Sequence, residues 1–152
     1  MNVPINSSGI AAVLLKNNHV LLLKRNDAPL QGAWCYIGGG IEEGERAWEA
    51  ALREIEEETG VTDVSLYTSN TFDQFYSPEQ NEIYIAPVFV GLVKEATPIV
   101  LNDEHSEYRW LTIEAAKEQA TMPGNDQVLE FIEKHFVQQA PRKQLHIVTR
   151  SE

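Results

Sequence analysis

Apolar residues near the start of the chain form two short runs, Ile10 to Leu15 and Val20 to Leu23, separated by a polar tetrapeptide. Runs of this length without polar interruption are typical of strands buried on both faces. Asn17 and Asn18 lie between the runs, and asparagine accommodates the backbone of a tight turn. The pattern therefore predicts a hairpin in the interior of a sheet.

The rest of the apolar pattern predicts four more strands, at residues 32–37, 64–69, 82–93 and 107–111. Loops are expected at 26–31 and 101–105. The stretch 71–81 is polar apart from its aromatic side chains, so it is expected to be an irregular connection between two strands.

Two longer segments have the residue spacing of amphipathic helices. In the first, Arg46 to Thr59, one face carries the apolar residues Trp48, Ala51, Leu52 and Ile55. Gly60 follows at the place where a left-handed residue commonly ends a helix. In the second, Asn125 to Val137, the apolar stripe is Val128, Phe131, Ile132 and Phe136. Between the two, Thr112 is expected to cap a short helix.

The first of these helices ends in acidic residues that break the local rules of helix stability. Glu54, Glu57 and Glu58 stand at positions i, i+3 and i+4, and at about 100° per residue they lie on one face. Like charges at this spacing cost roughly 0.2–0.5 kcal/mol per pair, and acids oppose the negative end of the helix dipole. Because a divalent cation would convert this repulsion into coordination, the pattern predicts a metal site.

The net charge of the chain restricts the classes of ligand that it binds. With 23 acidic and 12 basic residues, the formal charge is -11, which argues against general binding to nucleic acid or to anionic membranes. An anionic substrate would need a cation to shield it. The single cysteine, Cys35, excludes an internal disulfide framework and is interpreted as a core or strand thiol rather than a nucleophile.

The sequence has no pattern typical of a membrane span or a secretion signal. Its longest apolar stretch is far shorter than the ~20 residues that cross a bilayer, and residues 1–8 lack a basic region followed by an apolar run. We therefore expect a cytoplasmic protein with one domain in residues 1–152, its core at about 8–137 and a tail at 141–152 with no assigned role. A homodimer is compatible with the sequence.

The region from Gly39 to Val61 resembles the Nudix box, a spaced set of glycine, arginine and glutamate residues. Every fixed position of the box is filled, by Gly39, Glu45, Arg53, Glu54, Ile55, Glu57, Glu58, Gly60 and Val61. The predicted elements on either side are similar to the rest of a Nudix domain. The resemblance implies an α/β fold, an α/β/α sandwich around a mixed β-sheet, and hydrolysis of a nucleoside diphosphate linked to a further group.

The resemblance also implies roles for individual residues of the box. Glu54, Glu57 and Glu58 would carry Mg²⁺ or Mn²⁺. Arg53 would orient a carboxylate through a charged hydrogen bond, and Glu45 would support the loop and the start of the helix. The glycines that would let the backbone pass close to metal and phosphate are Gly38, Gly39, Gly40 and Gly44.

Two positions depart from the pattern of many family members. Those members carry proline where Ile37 stands, and serine or threonine where Arg46 would cap the helix. Glu49 keeps only the other half of a capping box. Neither departure removes a ligand, so they put the rigidity of the loop in question rather than the activity.

A second segment, from Glu104 to Trp110, resembles the Glu-His-x-x-Tyr-x-Trp sequence of bacterial Nudix enzymes that act on dATP and dihydroneopterin triphosphate. In those relatives the matching glutamate reaches the metals, so Glu104 is a candidate metal ligand or catalytic base. The alternative is an acid in a solvated loop. His105 is adjacent on an extended segment, and its side chain is expected to point elsewhere.

Taken with the resemblance, the residues predict a Mg²⁺-dependent pyrophosphohydrolase that releases a monophosphate and pyrophosphate from a small nucleoside triphosphate-like substrate. The expected catalytic residues are Arg53, Glu54, Glu57 and Glu104. Phe72, Phe75 and Tyr76 are candidates to stack on a base, although such aromatics also pack on their own domain. The alternatives left open are hydrolysis of a dinucleoside polyphosphate, a nucleotide sugar or an RNA 5′ end, and a non-catalytic nucleotide-binding regulatory module.

Overall fold

The structure is a computed structural model that describes residues 1–28 and 30–149. Eight strands form one mixed sheet within these residues. The strands are β1 (Ile5–Asn6), β2 (Gly9–Lys16), β3 (His19–Arg25), β4 (Trp34–Cys35), β5 (Ile37–Gly40), β6 (Val64–Ser77), β7 (Glu82–Val93) and β8 (His105–Thr112). The helices are α1 (Ala47–Thr59), α2 (Ile113–Gln119) and α3 (Asn125–Ile132), and α3 continues into a π-helical turn, Glu133–Val137.

Strand β2 is the middle strand of the sheet, with β7 along one edge and β5 and β3 along the other. On one edge β7 runs parallel to it, with Ala11 opposite Val88. On the other edge it pairs antiparallel with β5 at its start, where Ile10 lies opposite Gly39, and with β3 at its end. Strand β6 extends the sheet beyond β7, and β8 extends it beyond β3. The glycine-rich strand β5 therefore lies beside the middle of the sheet, directly before α1 in the chain.

Helices cover both faces of this sheet. Successive side chains of a strand point to opposite faces, and one face of β2 packs with α1 through Ile10, Ala12 and Leu14. The other face packs with α2 and α3 through Ala11, Val13 and Leu15. Continuous burial of β2 follows from these two layers, since neither face meets water. The expected α/β/α sandwich around a mixed sheet is confirmed.

The expectation of an irregular connection at 71–81 is wrong. Strand β6 continues to Ser77 and stays paired with β7, so only a short turn joins the two strands. The register shifts between Thr68 and Phe72, and Asn70 adopts a positive φ of 63° at this bulge. The bulge interrupts the apolar pattern, and pairing with a distant strand supplies the stability that the local sequence lacks.

The helix boundaries agree with the sequence pattern to within a few residues. Arg46 is the N-cap of α1, and its backbone N–H donates to Glu49 Oε1 at 2.9 Å, which is the half of a capping box that the sequence retains. Thr112 Oγ1 accepts from the Ala115 N–H at 3.2 Å and caps α2. Phe131, expected in the apolar stripe, is only half-buried and contacts His135. Among the residues that the structure describes, no helix has the length and apolar character needed to cross a bilayer.

Both ends of the described chain join the sheet, although neither was assigned a structural role from the sequence. Strand β1 pairs parallel with β7. In the tail, the Ile147 N–H donates to the Leu66 carbonyl at 2.9 Å, and the ring of His146 packs on Tyr67 with 4.9 Å between centroids. The part of the tail at 150–152 lies outside the described residues.

Gly60 should be needed for its backbone conformation. Its φ is 76°, and its N–H donates to the Glu56 carbonyl at the end of α1. We expect Gly60→Ala to lower the free energy of unfolding by about 1–2 kcal/mol, because a Cβ penalises the left-handed region. Gly60→Asn should cost less, since asparagine tolerates this conformation. Urea denaturation of the three proteins measures the difference, and equal losses for alanine and asparagine would contradict this explanation.

Candidate active site

A cavity of about 550 Å³ lies between the sheet, the end of α1 and the start of α3. Its walls come from β5, from the end of α1, from the outer half of β6 and from the first residues of β8 and α3. Glu58, Asp73 and Glu104 are the acidic residues of the lining that the structure describes, and Arg25 and His105 are its basic ones.

Arg53 connects α1 to the loop that precedes it. Its guanidinium donates to both carboxylate oxygens of Glu45, at 2.7 and 3.0 Å, and to the Gly40 carbonyl at 2.8 Å. It also donates to Glu54 Oε1 at 2.7 Å and to Glu57 Oε2 at 3.3 Å. The hydrogen bond from Arg53 is the main cause that lowers the pKa of Glu45. One cation therefore fixes three carboxylates and a backbone carbonyl relative to one another.

Gly39 allows β5 to pass directly over a carboxylate of α1. A Cβ at this position would lie 2.3 Å from Glu54 Cδ, far inside the contact distance of two carbons. Glu54 is 9% exposed beneath it. The glycine is therefore required by the close approach of strand and helix, since any side chain would displace Glu54.

Glu58 is the most deeply buried acid of the cavity, with 1% of its surface exposed. Its Oε2 atom is buried without a hydrogen-bond partner among the described residues. Burial raises the pKa of Glu58 well above the ordinary 4.5, and the nearby carboxylates of Glu54 and Glu104 raise it further. A buried acceptor without a donor costs free energy, and a cation would supply the missing partner.

One ligand atom each from Glu58, Glu104 and His105 lies within 4.8 Å of the other two. Carboxylate oxygens are the ligands that Mg²⁺ and Mn²⁺ prefer, and imidazole is accepted by Mn²⁺ and other transition metals. Together with the unpaired Glu58 Oε2, this donor set fits a divalent cation. The fold brings Glu104 to the end of α1 from a segment far along the chain.

The expectation that His105 points away from this cluster is wrong. Its ring is 6% exposed, and its Nε2 lies 3.6 Å from Glu58 Oε1. Burial is the main cause that lowers the pKa of His105, and the neighbouring Arg25 lowers it further. The side chain turns inward because β8 begins at His105, so it faces the sheet interior while Glu104 remains at the exposed mouth.

The remaining predicted residues occupy different surroundings. Glu57 is exposed beside Arg53 and is not among the described residues that line the cavity. Phe75 lines the cavity and packs on Tyr84 with 5.0 Å between ring centroids. Phe72 and Tyr76, both exposed, are not among the described lining residues.

One polar group in the wall of the cavity was not predicted from the sequence. Asn125 Nδ2 donates to the Tyr36 hydroxyl at 2.9 Å and to Asp73 Oδ1 at 3.3 Å. Asn125 is 7% exposed at the first turn of α3. The one available signal was Asp73 itself, an acid between aromatic residues in a segment that forms a strand.

Cys35 also lines the cavity, and burial raises the pKa of its thiol to about 11, so it is not a ready nucleophile.

The sequence profile of the NUDIX domain matches residues 6–132 of the chain. The chain belongs to the Nudix family. It is therefore a Nudix hydrolase, an enzyme that acts on phosphoric anhydride bonds, and the use of a divalent metal is general in this family. The match extends from β1 to the end of α3, so it includes the cavity and all of its acidic residues.

Similar proteins support the assignment to the Nudix family. The nucleoside triphosphatase NudI of Salmonella paratyphi B is 32% identical over 112 residues, which cover 67% of this chain and 79% of that protein. Escherichia coli dihydroneopterin triphosphate pyrophosphohydrolase has a similar structure, with a TM-score of 0.73 and 24% identity over 91% of this chain and 100% of that one. A Caenorhabditis elegans Ap4A hydrolase has a TM-score of 0.72 and 19% identity, covering 85% of this Nudix chain and 96% of that one.

Glu58 should make the metal-free Nudix enzyme less stable as pH rises. Because its pKa is higher in the folded than in the unfolded state, the folded state holds more protons between those two values, and the free energy of unfolding falls with pH. We expect urea denaturation in chelator to show this fall from about pH 5 upward. Glu58→Gln should remove part of the slope, whereas Glu56→Gln, an exposed acid on the same helix, should retain it. An unchanged slope in Glu58→Gln would exclude Glu58 as its source.

Proposed function

We propose that the protein is a Mg²⁺-dependent pyrophosphohydrolase that cleaves a nucleoside triphosphate-like substrate to a monophosphate and pyrophosphate. The observation that carries this proposal is the buried, unpaired carboxylate oxygen of Glu58 beside Glu104 in a cavity large enough for a nucleotide. A diphosphate brings several negative charges to this acidic wall, so hydrolysis there requires cations.

Glu54, Glu57, Glu58 and Glu104 are the residues that would hold Mg²⁺ or Mn²⁺. A divalent cation supplies positive charge for the phosphate oxygens and lowers the pKa of the attacking water. Glu58 and Glu104 share the cluster in the cavity. Glu54 and Glu57 lie on α1 within one helical turn of Glu58, and Arg53 donates a hydrogen bond to each of them.

Other residues of the chain are proposed to position the site, to accept a proton and to contact phosphate. Arg53 and Glu45 hold the glycine strand and the acidic helix in register. Glu104 is exposed at the mouth of the cavity, where it can accept a proton from water. Arg25 is a cation in the cavity lining that can contact a phosphate oxygen.

The proposed substrate class rests on the likeness to the nucleoside triphosphatase NudI, which supports a nucleoside triphosphate. The likeness to Ap4A hydrolase is one of fold and does not carry a second candidate. We place the catalytic domain in residues 8–137, and propose that it works in the cytoplasm on a small molecule. The charge of -11 supports the exclusion of nucleic acid and anionic membranes as partners.

Glu57→Gln should reduce turnover because it removes one charge from the metal-binding set without changing its shape. We expect a loss of about 100-fold or more in kcat with Mg²⁺, or ~3 kcal/mol of transition-state stabilisation. Glu56→Gln is the matched control, since it changes the adjacent, exposed acid of α1. Phosphate release with added pyrophosphatase measures both variants, and chelator should abolish the wild-type rate. Full activity of Glu57→Gln would remove Glu57 from the site.

Glu104→Gln should reduce kcat strongly while leaving KM within a few-fold, because its interaction is made mainly in the transition state. Glu107→Gln is the control, since Glu107 lies three positions further on β8, exposed beside Lys24. His105→Ala should also lower kcat, since the ring of His105 faces Glu58. His19→Ala should leave kcat unchanged, because His19 lies at the far end of β3. If Glu104→Gln kept the wild-type kcat, Glu104 would be neither base nor ligand.

A further inference from the structure

Asp73, Tyr36 and Asn125 form a polar group in the cavity wall that the proposed hydrolysis does not use. Asn125 begins α3, in the helical layer opposite α1, so this group enters the cavity from the side opposite Glu58. Asn125 Nδ2 lies 2.9 Å from the Tyr36 hydroxyl and 3.3 Å from Asp73 Oδ1. Tyr36 is 5% exposed, and its hydroxyl accepts the shorter of these two hydrogen bonds.

These contacts fix which atoms remain available to a ligand. The carboxylate of Asp73 cannot face the amide oxygen of Asn125 without repulsion, so the amide must present its N–H groups. Both N–H groups of Asn125 are then occupied, one by the Tyr36 hydroxyl and one by Asp73. Asp73 is only partly buried and lines the cavity, so its remaining lone pairs form a fixed acceptor edge.

Apolar side chains surround this acceptor edge. Phe75 is 56% exposed, and Tyr84 supports it from the neighbouring strand. Leu30, Met122 and Pro123 complete the lining on this side. An exposed aromatic face beside a fixed acceptor is suited to a planar ring that stacks and presents N–H groups at its edge.

We propose that Asp73 selects substrates whose ring carries two adjacent N–H donors, the 2-amino-4-oxopyrimidine edge that guanine and pterins share. This inference rests on the proposed function, because it assigns the phosphates to the Glu58 and Glu104 side of the cavity and the ring to the Asp73 side. Asn125 and Tyr36 are positioning residues that hold the carboxylate.

The edges of the other bases are poorer partners for an ionised carboxylate. Adenine and cytosine place a ring nitrogen acceptor beside their amino group, and that acceptor would face the negative charge. Uracil has one N–H between two carbonyl groups. Hypoxanthine keeps the ring N–H of guanine but lacks the 2-amino group, so it isolates the second hydrogen bond. Two parallel N–H···O bonds to one carboxylate add specificity as well as affinity.

The test compares kcat/KM for GTP, ITP, ATP, CTP and UTP with that for dihydroneopterin triphosphate. Wild-type enzyme should prefer GTP to ITP by about 10-fold or more, because a site built for a hydrogen bond rejects the analogue that lacks it. In Asp73→Asn this ratio should collapse towards one, since the amide cannot accept both donors. Asp63→Asn, at a surface ion pair with Lys94, should keep the wild-type ratio. A ratio within each protein does not depend on how much of the variant is folded.

A ligand-binding experiment without metal tests the role of Asp73 separately from the proposed hydrolysis. Saturation-transfer NMR in chelator should detect guanosine on the wild-type protein, inosine more weakly, and neither preferentially on Asp73→Asn. Equal turnover of GTP, ITP and ATP would overturn the role of Asp73 and leave the proposed hydrolysis intact. Absence of turnover with every triphosphate, together with Asp73-dependent guanosine binding, would overturn the hydrolysis instead. Preference for dihydroneopterin triphosphate over GTP would identify a pterin, and the reverse would identify a guanine nucleotide.

Discussion

Two carboxylates one helical turn apart, Glu54 and Glu58, are buried together at the end of α1. Strand β5 passes close over Glu54, where a Cβ on Gly39 would lie 2.3 Å from Glu54 Cδ. Without a cation, burial and then repulsion from the neighbouring carboxylates raise the pKa of Glu58 and favour its protonated form. The cost of burying two neighbouring carboxylates is the constraint on which the arrangement of the rest of the site depends.

The neighbouring residues compensate only one of the two acids. Arg53 donates to Glu54 and also holds Glu45 and the Gly40 carbonyl, so its charge is shared among several acceptors. Glu58 has no such hydrogen-bonded cation among the described residues, since Arg25 acts on it only through its charge. Burial is the main cause that lowers the pKa of His105 beside it. A buried acid left unpaired costs stability in the free protein, and the same arrangement gives a bound cation a strong preference for the folded state.

Local patterns were sufficient for the parts of the structure whose causes are local. The spacing of acidic and apolar residues predicted α1, and Gly60 predicted where it ends. Both features depend on residues within a few positions of one another. The extent of β6 could not be read in this way because its outer half is held by pairing with β7. The inward direction of His105 depends on where β8 begins. The contact of Tyr36 with Asn125 joins residues 89 positions apart, which no local pattern encodes.

Calorimetry of Mn²⁺ binding in buffers of different ionisation enthalpy tests the central claim most directly. If Glu58 is protonated in the metal-free enzyme, a cation that binds there must displace the proton into the buffer. The apparent enthalpy near neutral pH should then change with the buffer in the wild type, and Glu58→Gln should bind more weakly with much less proton release. Tight binding to the wild type with no dependence on the buffer would contradict the account, because the cation would then bind without involving the buried acid.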